Sequence, residues 1–402
     1  MDVTRKAPLR RGFLRFHPLL WAAALLFSSF MAATAIWSLP ASARRSDKAG
    51  SDHASPFAFG AKPIMKRLQP SLRAPEPAMT EILQTPKLVV VFGGSGFVGR
   101  HVVRALAKRG YRIRVACRRP DLAGHLQPLG NVGQIQPVQA NVRVRWSVDR
   151  AVQGADHVVN LVAVLHESGR QKFPAVHEFG ARAVAEAARA VGAGLTHISA
   201  LGADLNSGSD YARTKALGEK AVLETIKDAV IFRPSINFGP EDAFFNRFAN
   251  MARYSPVLPL IGGGQTKFQP VYVGDVAEAV ARSVDGKVDG GQIYELGGPK
   301  VLTFKECMEE LLQVIERKRM LVPVPWWVAN ILASILGLLP NPLLTKDQVI
   351  QLREHNIVSD AAVKANRTLA GLGIQPQSIA TIVPSYLWRY RAAGQFQRKP
   401  AA

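Results

Sequence analysis

An apolar, β-branched run that ends directly in a glycine cluster restricts this chain to a small set of folds. Residues 88–100 read LVVVFGGSGFVGR, and an amphipathic helical pattern begins at once after the glycines. The order is that of a strand, a tight turn and a helix. Gly93, Gly96 and Gly99 allow, in turn, a sharp turn, a close approach of backbone to pyrophosphate, and close packing of the helix. Because a helix N-terminus attracts phosphate, the stretch predicts dinucleotide binding.

The pattern that follows extends this first unit into a larger sheet. After a helix over 97–109, apolar runs predict strands at 111–117, 134–138 and 156–164, and further strands near 196 and 230. Alanine-rich or amphipathic segments predict helices between them. Strands and helices that alternate through residues 87–232 predict an α/β fold, a doubly wound parallel sheet with helices on both faces.

The end of the second predicted strand bears on the choice of nucleotide. Arg118 and Arg119 stand where an acidic residue would bind the ribose 2′-hydroxyl of NAD. Basic side chains suit the 2′-phosphate instead, so the sequence favours NADP(H) over NAD(H). The alternative is that these are two solvated arginines at a strand end.

A second constellation predicts redox chemistry. Tyr211 and Lys215 are four residues apart, and therefore share one face of a predicted helix. An ammonium beside a phenol lowers the pKa of the phenol, which could then exchange a proton with a carbonyl or an alcohol. Ser199, at the end of the preceding strand, could hydrogen-bond the same oxygen. The predicted catalytic residues are Ser199, Tyr211 and Lys215.

The residues predicted to bind the cofactor are distributed over six strand ends and loops. They are Gly93, Gly96, Phe97, Val98, Gly99, Arg118, Arg119, Asn141, Val142, Asn160, Tyr211, Lys215, Pro234 and Ser235. No metal site is predicted, because neither the two cysteines nor the nine histidines have ligand spacing.

The chain divides by composition into three parts, predicted as residues 1–78, 86–296 and 297–402. The first is a basic extension with an uncharged segment at 16–43 and a Pro/Ala-rich linker. Three explanations stay open for it: a start assigned too far upstream of Met79, a membrane anchor, or a cleaved targeting peptide. The second part is the nucleotide-binding domain and the third a smaller, mainly helical domain that contacts a partner or substrate.

The third part carries an apolar segment and a basic, aromatic end. Residues 325–340 are uncharged and too short to span a bilayer. They could pack in the core or lie on a membrane or a partner, as the basic residues 317–319 and Trp326 and Trp327 would suit. The net charge of +21 also favours an acidic partner or an anionic membrane surface. Nucleic acid is not expected, since no nucleic-acid motif is present.

Taken together, these motifs resemble the extended short-chain dehydrogenase/reductase superfamily. Within it, the chain is most similar to the nucleotide-binding accessory subunit of respiratory complex I and its bacterial relatives, over residues 86–396. The narrower match rests on these segments: VFGGSGFVGRH (91–101), FRPSINFGPED (232–242), LLPNPL (338–343), LTKDQ (344–348) and PSYLWRY (384–390). The resemblance implies a Rossmann fold that holds NADP(H) tightly at the membrane-proximal arm of complex I, with the nucleotide mainly structural.

Two functions are therefore expected, and one departure from the family bears on them. The first is a complex I accessory or assembly subunit, peripheral on the cytoplasmic face of the inner membrane, or anchored if segment 16–43 is genuine. The second is an active NADPH-dependent reductase or dehydrogenase of a lipophilic carbonyl, such as a quinone or quinone precursor. A sugar-nucleotide epimerase fits the apolar, basic C-terminal part less well. His177 stands where the family usually has Asn, which puts a proton relay in doubt.

Overall fold

The computed structural model describes residues 86–339 and 342–392. The predicted segment 16–43 and the basic end after 392 lie outside these residues. Within them, a seven-stranded sheet in which every pairing is parallel organises the molecule. The α/β prediction is confirmed.

Thirteen strands form the main sheet and three short pairs in the described part of the chain. They are β1 (Leu88–Phe92), β2 (Arg112–Cys117), β3 (Ile135–Gln139), β4 (His157–Asn160), β5 (Gly194–Ile198), β6 (Val230–Pro234), β7 (Asn237–Phe238), β8 (Val257–Ile261), β9 (Lys267–Phe268), β10 (Val271–Tyr272), β11 (Ile293–Leu296), β12 (Leu302–Thr303) and β13 (Met320–Val324). The main sheet has the spatial order β11-β6-β5-β4-β1-β2-β3, and the other strands pair as β10-β7, β12-β9 and β13-β8.

Twelve α-helices connect or cover these strands in the described part of the chain. They are α1 (Phe97–Lys108), α2 (Arg145–Val152), α3 (Phe179–Ala190), α4 (Asp210–Thr225), α5 (Phe245–Tyr254), α6 (Val273–Val284), α7 (Phe304–Val314), α8 (Trp326–Leu336), α9 (Lys346–Gln351), α10 (Asp360–Lys364), α11 (Ile379–Ile382) and α12 (Pro384–Leu387). Helices α7 and α9 begin with capping boxes at Thr303 and Thr345, which satisfy the first backbone N–H groups.

Both faces of the main sheet are buried under helices, as continuous apolar strands require. Helices α1 and α6 cover one face, where Val102, Leu106 and Val280 are fully buried. Helices α2, α3 and α4 cover the other face, with alanines that let the helices approach the sheet closely.

The C-terminal part forms its own apolar cluster together with residues that precede 297. Phe238, Phe245 and Leu258 pack there with Phe304 and residues of α7, α11 and α12. Leu369 and Ile374 instead return to the core of the main sheet. The chain thus crosses between the two regions more than once.

Two elements differ from their predicted bounds. The fourth strand ends at Asn160 instead of Val164, because Leu161 N donates the last ladder bond to Phe92 O and the chain then leaves the sheet. The helix predicted over 173–191 begins with a wider π-helical turn, Pro174–Glu178, and becomes α-helical only at Phe179.

Candidate functional site

A cleft opens at the carboxyl ends of β1, β2 and β4, where the order of the strands reverses. This is the place where open parallel sheets bind ligands. The cavity measures about 480 Å³. It is lined by Phe92, Gly93, Ser95, Gly96, Phe97, Val98, Gly99, Ala116, Cys117, Arg118, Ala140, Asn141, Val142, Arg143, Leu161, Val162, Ala163, Val164, Leu165, Gln171 and Val176.

The turn after β1 is shaped by two glycines for different reasons. Gly93 has a φ of +79°, a left-handed conformation that other residues rarely adopt. A Cβ at Gly99 would lie 2.3 Å from Gly93 O, so helix α1 packs directly on the turn. The close contact that the sequence predicts at Gly99 is therefore with the turn more than with the sheet.

Helix α1 presents its N-terminus to the cleft. Gly96 is the N-cap, and no side chain caps the helix. The first N–H groups of any α-helix lack intrahelical partners, and here a bound phosphate can accept from them.

The edge of the cleft beside β2 carries two guanidinium groups. Arg118 donates to the side-chain oxygen of Gln171, and Arg143 donates to Arg170 O at 3.1 Å. Neither forms an ion pair with a carboxylate among the described residues. Arg119, predicted alongside Arg118, does not line the cavity, because it is exposed and pairs with Asp121 at 2.7 Å.

Asn160 also lies outside the cavity lining, although the sequence places it among the cofactor residues. Its side-chain oxygen accepts from Val162 N at 3.1 Å, and its amide nitrogen lies 3.2 Å from His197 Nδ1. Both ends of the buried amide are therefore used to fix the chain as it leaves β4.

The three predicted catalytic residues come from α4 and the end of β5. The buried Lys215 donates from Nζ to Ile198 O at 2.7 Å, which holds α4 against the strand end next to Ser199. The Ser199 hydroxyl is buried and has no hydrogen-bond partner among the described residues. None of the three residues lines the cleft. A buried hydroxyl without a partner is costly, so a group that reached Ser199 would gain a favourable hydrogen bond.

The electrostatics of Tyr211 correct the expected activation of its phenol. Burial, followed by the charge of Asp347, raises the pKa of Tyr211 to about 12. Burial lowers the pKa of Lys215 to about 8, and its ammonium is engaged by the carbonyl of Ile198. The expected lowering of the phenol pKa by Lys215 does not occur here. Tyr211 is protonated at neutral pH and can donate a proton more readily than it can accept one.

His177 is fixed by both of its ring nitrogens. Val164 N donates to Nε2 at 3.1 Å, so in the neutral ring the proton is on Nδ1, which lies 3.1 Å from Thr214 Oγ1. Burial lowers the pKa of His177 to about 3, which keeps the ring neutral. Its ring also packs on Tyr211 with centroids 5.3 Å apart. His177 thus positions the tyrosine and has no ring nitrogen left for a relay water.

Pro234 and Ser235 are buried at the end of β6 and do not line the cleft. Ser235 Oγ lies 2.6 Å from the side-chain oxygen of Asn356. Their assignment to the cofactor, like those of Tyr211 and Lys215, stays a prediction.

The residues present fit a dinucleotide. The glycine turn leaves a backbone cradle that a Cβ would fill, α1 offers N–H groups, and Ser199 offers a hydroxyl without a partner. Gly93, Gly96, Phe97, Val98 and Gly99 would hold the pyrophosphate. Asn141 and Val142 would lie beside the adenine, and a bound nicotinamide would supply or accept hydride.

Sequence reasoning missed Arg143 and the segment 161–165, which line much of the cleft. The signal for the segment was available, since it directly follows a strand that ends beside β1. Its apolar character instead predicted a longer strand. No group of acidic, histidine or cysteine side chains in the described residues could hold a metal ion.

Comparison with known proteins agrees with this geometry. The sequence pattern of the NAD dependent epimerase/dehydratase family matches residues 89–297. Subunit 9 of the NADH dehydrogenase [ubiquinone] 1 alpha subcomplex from Arabidopsis thaliana is 34% identical over 322 residues, covering 76% of this chain and 79% of its own. A ceramide reductase from Caulobacter vibrioides is 33% identical and covers 59% of this chain and 74% of its own.

A solved structure shows the same fold. The dTDP-glucose 4,6-dehydratase from Streptomyces venezuelae superposes with a TM-score of 0.58 at 22% identity, over 75% of this chain and 96% of its own. The parallel sheet, the glycine turn and the family match over half of the chain all indicate the same family. The chain therefore belongs to the NAD dependent epimerase/dehydratase family.

Proposed function

We propose that this protein is an NADP(H)-binding accessory or assembly subunit of a respiratory complex I, in which the nucleotide is mainly structural. The observation that supports this most is the contrast between the two halves of the site. The glycine turn, the N-terminus of α1 and Arg118 line the nucleotide cleft, whereas in the predicted catalytic half burial raises the pKa of Tyr211 and both ring nitrogens of His177 are engaged. The similarity to subunit 9 extends over 76% of the chain, well beyond the nucleotide-binding motifs.

The preference for NADP(H) is supported by the arginines at the β2 edge. Arg118 and Arg143 line the cleft without a carboxylate partner in the described residues, and no acidic side chain lines it. A 2′-phosphate would accept charge-assisted hydrogen bonds from one or both.

Peripheral contact with the membrane or with neighbouring subunits is supported by helix α8. None of the described helices is both long and apolar enough to span a bilayer. Helix α8 and the turn after it nevertheless expose Trp327, Ile331, Ile335 and Leu338 on one side. An unpartnered apolar face of this kind marks an interaction surface.

The test is co-migration of the C-terminally tagged protein with NADH dehydrogenase activity on a native gel, after membranes are solubilised in mild detergent. We expect Tyr211→Phe to leave co-migration and complex I activity unchanged. Gly96→Val, which obstructs the pyrophosphate position, should abolish both. If the native protein migrates alone, or if Tyr211→Phe reproduces the loss caused by deletion, a structural role is wrong.

A second function, reduction of a lipophilic carbonyl by NADPH, is favoured by one specific observation. An apolar cavity of about 320 Å³ lies next to the end of β6, where Ile236 and Asn356 line it. Asn356 contacts both Ser235 and Leu201 O, so the cavity adjoins the strand ends that carry Ser199. NADPH oxidation by a quinone or a long-chain ketone, lost in Tyr211→Phe, would support this function over the first.

A further inference from the structure

The apolar cavity in the C-terminal part shares no lining residue with the nucleotide cleft. Its volume of about 320 Å³ lies at the lower end of the range of small-molecule sites, roughly 300–1,000 Å³. The wall consists largely of aromatic and aliphatic side chains from α5 and the residue before it, from β8, β9, α7, β13 and α8, and from the segment around α9. Phe244, Phe248, Phe268 and Phe304 form one continuous aromatic side, with centroid separations of 5.4 to 6.3 Å.

The lining is mostly apolar and offers few hydrogen-bond partners to a polar ligand such as a sugar. Among the described residues, its uncharged polar groups are three amide side chains, Gln348, Gln351 and Asn356. Several apolar lining residues, among them Leu332, Leu343 and Leu344, stay half-buried in the folded protein. An aliphatic chain in the cavity would remove their remaining surface from water, which is the dominant favourable contribution to apolar binding.

In the part of the chain that the structure describes, one charged side chain lines the cavity, Arg247 on α5. Its Nη1 donates to Leu343 O at 3.1 Å, and no carboxylate of the described residues lies within ion-pair distance of it. The Arg247 side chain is itself exposed, so it lies at the opening of the cavity, where a ligand can reach its guanidinium. An arginine has five N–H donors, so most of its donor capacity is available to an anion.

We propose that this cavity binds one aliphatic chain of an anionic amphiphile, with the anionic head on Arg247. The shared chemistry is a long alkyl chain that ends in a carboxylate or a phosphate. The aromatic wall and α8 take the chain, and the guanidinium selects the head group. The site does not depend on nucleotide binding. It is the cavity that the second proposed function would use for a lipophilic carbonyl, and binding of an anionic amphiphile there requires no turnover.

The test uses the full-length protein and displacement of the fluorescent fatty acid cis-parinarate. We expect palmitate or 1-palmitoyl lysophosphatidate to displace it, whereas hexadecanol and hexadecyltrimethylammonium displace it much less. The tighter of the first two assigns the head group. Arg247→Gln should weaken binding of the anionic ligand about tenfold or more, because a charge-assisted contact is lost.

Two matched variants complete the experiment. Arg253 is on the same helix, but its guanidinium lies over the ring of Tyr254 and does not line the cavity. Arg253→Gln therefore removes one cation from α5 and should leave the affinity for palmitate unchanged. Ala329→Phe should fill the cavity and reduce palmitate binding with Arg247 intact. If that variant does not fold, Leu332→Trp serves the same purpose.

The proposal is overturned if the native protein does not bind cis-parinarate, if hexadecanol binds as tightly as palmitate, or if Arg253→Gln weakens palmitate as much as Arg247→Gln does. NADPH affinity and co-migration with complex I should stay normal in Arg247→Gln. Loss of the fatty-acid site is therefore distinguishable from failure of the proposed subunit function.

Discussion

The contact between helix α1 and the glycine turn gives a sharp prediction for Gly99→Ala. A Cβ at this position would lie 2.3 Å from Gly93 O and 2.6 Å from two backbone carbons of Gly94. Ordinary contact begins near 3.4 Å, so the helix has to move away from the turn by about 1 Å. Such overpacking costs about 1–3 kcal/mol, and the better helix propensity of alanine returns up to about 1 kcal/mol.

We therefore expect a net loss of about 1–2 kcal/mol, measured as a fall in Tm of about 2–8 °C by calorimetry. NADPH affinity should fall about tenfold or more, because a shift of this size breaks hydrogen bonds between phosphate and the N-terminus of α1. Gly124→Ala is the control, since its Cβ would meet no atom within 4 Å and its φ is not positive. A Gly99→Ala protein with native Tm and native NADPH affinity would refute the reasoning.

Three further predictions follow from charges in the structure. Arg118→Ala should weaken NADPH about tenfold and NADH less than about twofold in titration calorimetry, because only NADPH carries the 2′-phosphate; Arg119→Ala, whose guanidinium is held by Asp121, should change neither. Burial raises the pKa of Asp275 to about 6, so the folded state binds the extra proton and stability falls as pH rises from about 4 to about 6. Asp275→Asn, which can still accept from Gln377 N, should therefore raise Tm at pH 7.5, because it removes up to about 3 kcal/mol of the cost of burying a charged carboxylate. At pH 4 the carboxyl of Asp275 is already protonated in the folded state, so Tm should not rise, and an equal gain at both pH values would contradict this. Glu219→Gln should cost about 2 kcal/mol in denaturant unfolding, because it removes the buried charge that accepts from Arg233 at 2.6 and 2.9 Å and leaves Glu295 at 3.8 Å as the remaining carboxylate. The exposed Glu224→Gln should cost less than about 0.5 kcal/mol, and equal losses would refute a role for burial.

The parallel sheet, its covering helices and the glycine turn after β1 were predictable from the sequence alone. Each of these rests on a local pattern: a β-branched run, a glycine spacing or a helical period within about twenty residues. Tyr211 and Lys215 on one face of α4, and the capping boxes at Thr303 and Thr345, belong to the same class. Such features follow from backbone geometry and need no distant partner.

The surroundings of those residues depend on contacts that form only when the chain folds. Arg119 forms an ion pair with Asp121, whereas Arg118 lines the cleft. The sequence alone predicts the same role for both arginines. Asp347, more than a hundred residues beyond Tyr211 in the chain, contributes to the raised pKa of the phenol, where the local Tyr–Lys spacing predicts a lowered one. The apolar cavity likewise joins α5, α8 and the segment around α9. Charge and burial at a site are sums over neighbours that folding brings from distant parts of the chain, and local sequence patterns do not contain those distances.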